Sequence, residues 1–257
     1  MLEDISINAL PIIHVKSSER LDAFSSSLGN QIKWKHNDKF VKLNCLGYEN
    51  TAEVLVSHLL SFTDLSEKDY VKYRACLIYE DGKRIGSGCY SQDFVGDAVE
   101  MTVANLLDEG LQSYSISYDD LRDYLFGIVG FDVKSYIDTI LCVDAMTRND
   151  DRHFKNISFL YSDGKYSPAP IFDNGAACMS DVLSYPLEVD FDTNYRSISA
   201  KPFYTDFPRN LVNNRLLELH YDDFVNSVNF SDRMSVRALK TVLRALAETE
   251  GIAWKRC

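Results

Sequence analysis

The segment Asn149-Asp150-Asp151-Arg152-His153-Phe154-Lys155-Asn156 holds the residue types that metal-assisted phosphoryl transfer needs, and Asp173 follows in Ile171-Phe172-Asp173-Asn174-Gly175. Such a transfer needs a carboxylate to orient the attacking hydroxyl and accept its proton, and oxygen ligands for magnesium. Magnesium is a hard cation that takes few side chains and keeps phosphates and water as its other ligands. With Asp151 and Asn156 on one loop, the carboxylate can face the hydroxyl while the amide oxygen faces the metal. Asp173 completes the metal pair if residues 157 to 172 fold back as a hairpin. Their composition fits: an apolar run, a Ser162-Asp163-Gly164 turn, then a second strand. Lys155, on the same loop, is a second catalytic candidate, with two readings open: it approaches the terminal phosphate, or it is simply solvated. His153 is expected to support the loop backbone, and Gly175 suits a sharp turn. The competing reading makes Asp150, Asp151, Asn156 and Asp173 ordinary turn residues.

Upstream, Lys42 lies on the alternating stretch Lys39-Phe40-Val41-Lys42-Leu43, and Glu53 follows at the start of an apolar-faced segment. A strand lysine on the nucleotide phosphates, held by a helix glutamate, is a recurring kinase pairing. Before it runs Ser25-Ser26-Ser27-Leu28-Gly29-Asn30-Gln31, whose small residues let backbone amides approach phosphates. Gly29, Asn30 and Gln31 are therefore nucleotide-binding candidates, although the loop lacks the G-x-x-x-x-G-K pattern. Glu100 and Thr102, in the segment expected to join two lobes, are candidates for adenine contact.

These residues need elements to position them. Residues 32 to 35 and 39 to 43 read as strands, and residues 75 to 79 and 85 to 90 as a hairpin around Glu80-Asp81-Gly82-Lys83. A helix is expected over residues 51 to 62, capped by Asn50 or Thr51, with Val54, Leu55, His58, Leu59 and Phe62 forming its apolar face. Residues 120 to 129, 133 to 146 and 231 to 248 carry helical periodicity, whereas 176 to 206 show little regular pattern. The expectation is an α+β, bilobal fold: a strand-rich N-lobe over residues 1–104 and a helical C-lobe over 105–257.

Bulk properties narrow the function. The net charge is −11, and dividing the chain near residue 105 leaves an acidic excess on both sides. An acidic surface disfavours direct nucleic-acid binding. Six cysteines without C-x-x-C or zinc spacing read as reduced thiols of a cytoplasmic protein. The acidic N-terminus does not resemble a signal peptide, and no stretch approaches the ~20 apolar residues of a membrane span. Secretion by a route without a cleaved signal stays compatible with this.

Asp-Arg-His-Phe-Lys-Asn followed by Phe-Asp-Asn-Gly resembles the catalytic and metal motifs of the HipA family of bacterial serine/threonine kinases. The Gly29-Asn30-Gln31 loop and the segment 42 to 60 are similar to its short members, of the CtkA type. The resemblance implies a protein-kinase-like fold, ATP as donor and Mg2+ as cofactor. It matches Asp151 to the catalytic aspartate, Asn156 and Asp173 to the magnesium ligands, and Lys42 to the ATP-binding lysine. It also implies a protein substrate, an antitoxin-type partner, and autophosphorylation in the phosphate-binding loop, for which Ser25, Ser26 and Ser27 are the candidates. The chain starts almost at the kinase core, so a shortened form is expected. Two other functions fit the same residues: a lipid or small-molecule kinase, and a catalytically silent nucleotide-binding regulator.

Overall fold

The computed structural model describes residues 2–3, 10–21, 31–107, 116–211 and 215–257. Gly29, Asn30, Ser25, Ser26 and Ser27 lie outside them.

The N-terminal half is built on a five-stranded sheet of order β2-β5-β6-β4-β3, comprising β2 (Ile12–Val15), β3 (Lys33–His36), β4 (Lys39–Leu43), β5 (Arg74–Glu80) and β6 (Lys83–Gln92). β2 runs parallel to β5, and the remaining pairs are antiparallel. The β5–β6 hairpin closes on Asp81 and Gly82, both at positive φ, the geometry that Asp-Gly supplies for a tight turn. Gly88 lets β6 lie against the strand that carries the candidate lysine. A Cβ there would come within 1.9 Å of the Lys42 carbonyl oxygen. Trp34, Val41, Cys76 and Ile78 fill one side of this sheet.

Helix α1 (Glu49–Leu60) departs from the simple amphipathic expectation. Polar Glu49, Asn50, Thr51, Glu53 and Ser57 are buried along with its apolar residues. The reason is its place: it touches β5 and β6 on one side, and the Ala177–Met179 turn and the helix at Arg233–Thr249 on the other. Its start also differs. Tyr48 holds the cap position without a side-chain bond. Asn44 Oδ1 instead accepts the Asn50 N–H from six residues upstream, at 2.8 Å.

After β6 the chain enters β7 (Val99–Thr102) and the short α2 (Val103–Leu106), then α3 (Tyr118–Val129) and α4 (Lys134–Thr147). The hairpin of β8 (Ser158–Ser162) and β9 (Lys165–Pro168) joins β7 in a three-stranded antiparallel sheet. Its turn again uses Asp-Gly, with Asp163 and Gly164 at positive φ. The unpatterned region holds α5 (Phe191–Ser197), and α6 (Phe207–Asn210) follows directly after it. α7 (Tyr221–Ser227) and α8 (Arg233–Thr249) follow. Two small parallel pairs complete the fold: β1 (Leu2–Glu3) with β11 (Val228–Asn229), and β10 (Leu217–Leu219) with β12 (Trp254–Arg256). The main core joins α1 residues Leu55, Val56, Leu59 and Leu60 to Leu121, Ile140, Val143, Phe224 and Val242. One helix of the N-terminal half is thereby packed into the C-terminal core. Among the described residues, no helix is long and apolar enough to cross a membrane.

Candidate active site

The C-terminal end of α4 launches the loop that carries Asp151 and Asn156. Arg148 ends the helix in a left-handed conformation, with φ of 55°. Within the loop, Arg152 is fully buried and directs its guanidinium at one carboxylate and three neutral oxygens. Nε and Nη2 donate to Asp144 at 3.0 and 2.9 Å, Nη1 donates to the carbonyls of Asn156 and Phe172 at 3.0 Å each, and Nη2 also donates to Asn174 Oδ1 at 2.8 Å. One side chain therefore fixes the spacing between the Asn156 loop and the Asp173 loop. Burial pushes the Asp144 carboxyl up, although Arg152 beside it opposes the shift.

Asp173 sits at φ of 58° at the end of the β9 return. Its Oδ1 accepts from Lys42 Nζ at 2.8 Å and its Oδ2 from Lys33 Nζ at 3.2 Å. Lys42 also donates to Glu53 Oε1 at 2.6 Å, and Glu53 Oε2 accepts the Asn174 N–H at 2.9 Å. The expected lysine–glutamate pair thus forms in a fully buried setting. Burial drives the Asp173 carboxyl upward, but Lys33 and Lys42 outweigh it and hold the group far below the usual carboxylate range. Burial alone lowers the Lys42 ammonium, yet Asp173 and Glu53 leave it well above the ordinary lysine value. Glu53 is raised, because its desolvation exceeds the attraction of Lys42.

A cavity of about 320 Å³ opens between the two halves, with Lys33, Asp151, Asn156 and Asp173 on its wall. Asp151 is half exposed there, and its Oδ1 accepts from Lys201 Nζ at 3.0 Å. His153 also lines the cleft, with Nε2 at 3.9 Å from Asp151 Oδ2; burial lowers its imidazole pKa. Asp150 lines the cleft as well, accepting from the Tyr185 hydroxyl, and burial raises its carboxyl.

Asn156 Oδ1 is buried and has no hydrogen-bond partner among the described residues. A buried carbonyl oxygen left unpaired beside an ionised carboxylate fits a cation that both ligate. Asn156 and Asp173 therefore suit magnesium, which needs few protein oxygens. Among the described residues, no group of three or more His, Cys, Asp or Glu is placed to hold a metal ion.

The other sequence candidates are placed as follows. Gln31 lines the cleft and donates to the Leu43 carbonyl at 2.8 Å. Lys155 is exposed and is not on the cleft wall. Glu100 accepts from the Ser158 hydroxyl at 2.8 Å, and Thr102 caps α2 through the Asn105 N–H at 3.0 Å. Both side chains are thus engaged within the β7–β8 region, and neither lines the cavity. The sequence reading missed Lys33 and Lys201. Lys33 becomes legible once β3 and β4 pair, because it lies directly across from Lys42. Lys201 had no signal, since it reaches Asp151 from the unpatterned region.

No family model and no curated protein matches the sequence. Among solved structures, the proinflammatory kinase CtkA of Helicobacter pylori matches with a TM-score of 0.59 and 17% identity, over 95% of this chain and 96% of that one. The chain has the CtkA fold. HipA, from the Shewanella oneidensis MR-1 toxin–antitoxin complex of HipA, HipB and operator DNA, matches with a TM-score of 0.47 and 12% identity. That match spans 90% of this chain and 66% of HipA, and adds no weight to the assignment. The CtkA-like fold is the bilobal α+β architecture expected from the order of elements. It sets the cleft described above between a strand-rich and a helical half.

Proposed function

We propose that this chain is an ATP- and magnesium-dependent protein serine/threonine kinase of the HipA-like type, with residues 1–104 as the nucleotide-phosphate lobe and 105–257 as the catalytic lobe. The observation that carries the reading is the convergence on one cleft of the Lys42–Glu53 pair, the Asp173 carboxylate, the unpartnered Asn156 oxygen and the open Asp151 carboxylate.

Lys42, steadied by Glu53, binds the nucleotide phosphates. Asn156 and Asp173 hold magnesium, which when bound neutralises phosphate charge and orients the transferring group. In that role Asp173 would give up its contacts with Lys42 and Lys33, leaving Lys42 to the phosphates. Asp151 accepts the proton of the attacking hydroxyl. The incoming oxygen–phosphorus bond forms as the bond to the ADP oxygen breaks, and the electron pair leaves with ADP.

The test is incubation with γ-labelled ATP and magnesium, alone and with cell lysate, beside an Asp151→Ala control. Labelled protein bands that vanish in the control support the reading. Label found only in small molecules would replace the protein acceptor with a lipid or metabolite. Transfer equal in the control would remove Asp151 from its role.

A further inference from the structure

The geometry points to Lys201 as a further catalytic residue, whose ammonium contacts the transferring phosphoryl group across Asp151. This rests on the kinase reading above and assigns a function to a residue that lies outside both sequence motifs.

Three observations carry it. First, a phosphoryl transfer leaves charge on the equatorial oxygens, which a cation beside the base stabilises. Lys155, on the Asp151 loop, is off the cleft wall, and although both lysines are exposed only Lys201 stands where that cation is needed. Lys201 does line the cleft, with Nζ 3.0 Å from Asp151 Oδ1.

Second, Lys201 is delivered by a fixed loop. Buried Asn210 donates through Nδ2 to the carbonyls of Lys201 and Tyr204 at 3.1 and 3.0 Å, and its Oδ1 accepts the Tyr204 N–H at 2.9 Å. The Ala200 N–H closes the loop on the Thr205 carbonyl at 2.9 Å. Phe203 then packs against Tyr118 and against Phe154 of the catalytic loop, with ring centroids 5.4 and 6.2 Å apart. The lysine and the aspartate are thus referenced to the same loop.

Third, the cleft's other wall lysine, Lys33, lies at the Asp173 end, with Nζ 3.2 Å from Asp173 Oδ2. Lys33 and Lys201 lie with Asp173 and Asp151 respectively, one cation for each end of the reacting group. In the transfer, the acceptor oxygen–phosphorus bond forms, the bond to ADP breaks, and the hydroxyl proton moves to Asp151. Lys201 stays protonated throughout, bridging Asp151 and a phosphoryl oxygen.

The experiment compares wild type, Lys201→Met, Lys201→Arg and Lys201→Ala. Each is checked for folding by thermal melting. Expected for Lys201→Met is a fall in kcat of about 10²-fold, the usual cost of one charge-stabilising donor. Lys201→Arg should retain part of the rate, and added methylamine should restore part of the Lys201→Ala rate. A binding measurement reads the same contact without turnover. Affinity for a non-hydrolysable ATP analogue should drop about tenfold, as for loss of one charge-assisted hydrogen bond, while ADP affinity holds. Unchanged or increased kcat in Lys201→Met, or equal losses for ADP and the analogue, overturns the proposal. Wild-type transfer that survives Asp151→Ala sinks the underlying base assignment instead, so the two failures are distinguishable.

Discussion

Arg152 and Asp144 form a fully buried ion pair: the guanidinium gives Nε and Nη2 to one carboxylate from eight residues away along the chain. The remaining donors go to the Asn156 and Phe172 carbonyls and to Asn174. The pair therefore acts as the beam between the Asn156 loop and the Asp173 loop. Removing one partner leaves the other charge buried without a counter-ion. Arg152→Met should destabilise the protein by about 3–5 kcal/mol, read by urea denaturation. The double variant Arg152→Met/Asp144→Leu should recover part of that loss, because no charge is then stranded. A double variant less stable than the single would contradict the pair's role.

Asn156 behaves oppositely. Among the described residues its Oδ1 has no partner, and its Nδ2 makes a 3.4 Å contact with the Asp151 carbonyl. Asn156→Ala should change the melting temperature little, yet weaken the magnesium dependence of nucleotide binding. Titrating magnesium against a fluorescent ATP analogue checks this. A large loss of stability with intact magnesium dependence would show a structural residue.

Lys42→Met removes the cation that pairs both Glu53 and Asp173. It leaves Glu53, fully buried, with one backbone N–H as its remaining partner. Nucleotide affinity should fall about tenfold or more, on the scale of a lost charge-assisted contact. Stability should fall with it. Calorimetric ATP titration and thermal melting read the two effects separately.

His58 supplies a pH dependence away from the cleft. Its ring packs against Phe62 and Phe224, with Nε2 2.8 Å from Ser227 Oγ, and burial lowers its pKa. The folded state therefore favours the neutral ring. Its contribution is fully present above the unfolded value near 6.5 and is lost as pH falls through the lowered folded-state value. Melting temperature should decline on acidification below about pH 6.5, and His58→Gln should flatten that limb. An unchanged acid limb would assign the decline to other groups.

Ser25, Ser26 and Ser27 stay the candidates for autophosphorylation. Phosphopeptide mapping after incubation with magnesium and ATP should place phosphate within residues 25 to 27. Phosphate found only elsewhere counts against the assignment.

Much of the site was legible because local chemistry wrote it. Asp-Gly turns announced both hairpins. The spacing of Asp151, Asn156 and Asp173 announced one loop, a hairpin return and a second loop. Lys42 was legible from strand alternation, and Glu53 from its place on the following helix. These signals survive in one dimension because turn geometry, strand period and helix period are properties of neighbouring residues. What only the tertiary structure decided is long-range. Cross-strand register places Lys33 opposite Lys42 and brings both to Asp173. The packing of α1 between sheet and C-terminal core buries polar residues that its periodicity alone would leave facing solvent. Lys201 meets Asp151 only because Asn210 and Phe203 dock an irregular loop on the catalytic loop. Irregular backbone has no period to read, so its side chains acquire their partners only when the chain closes in space.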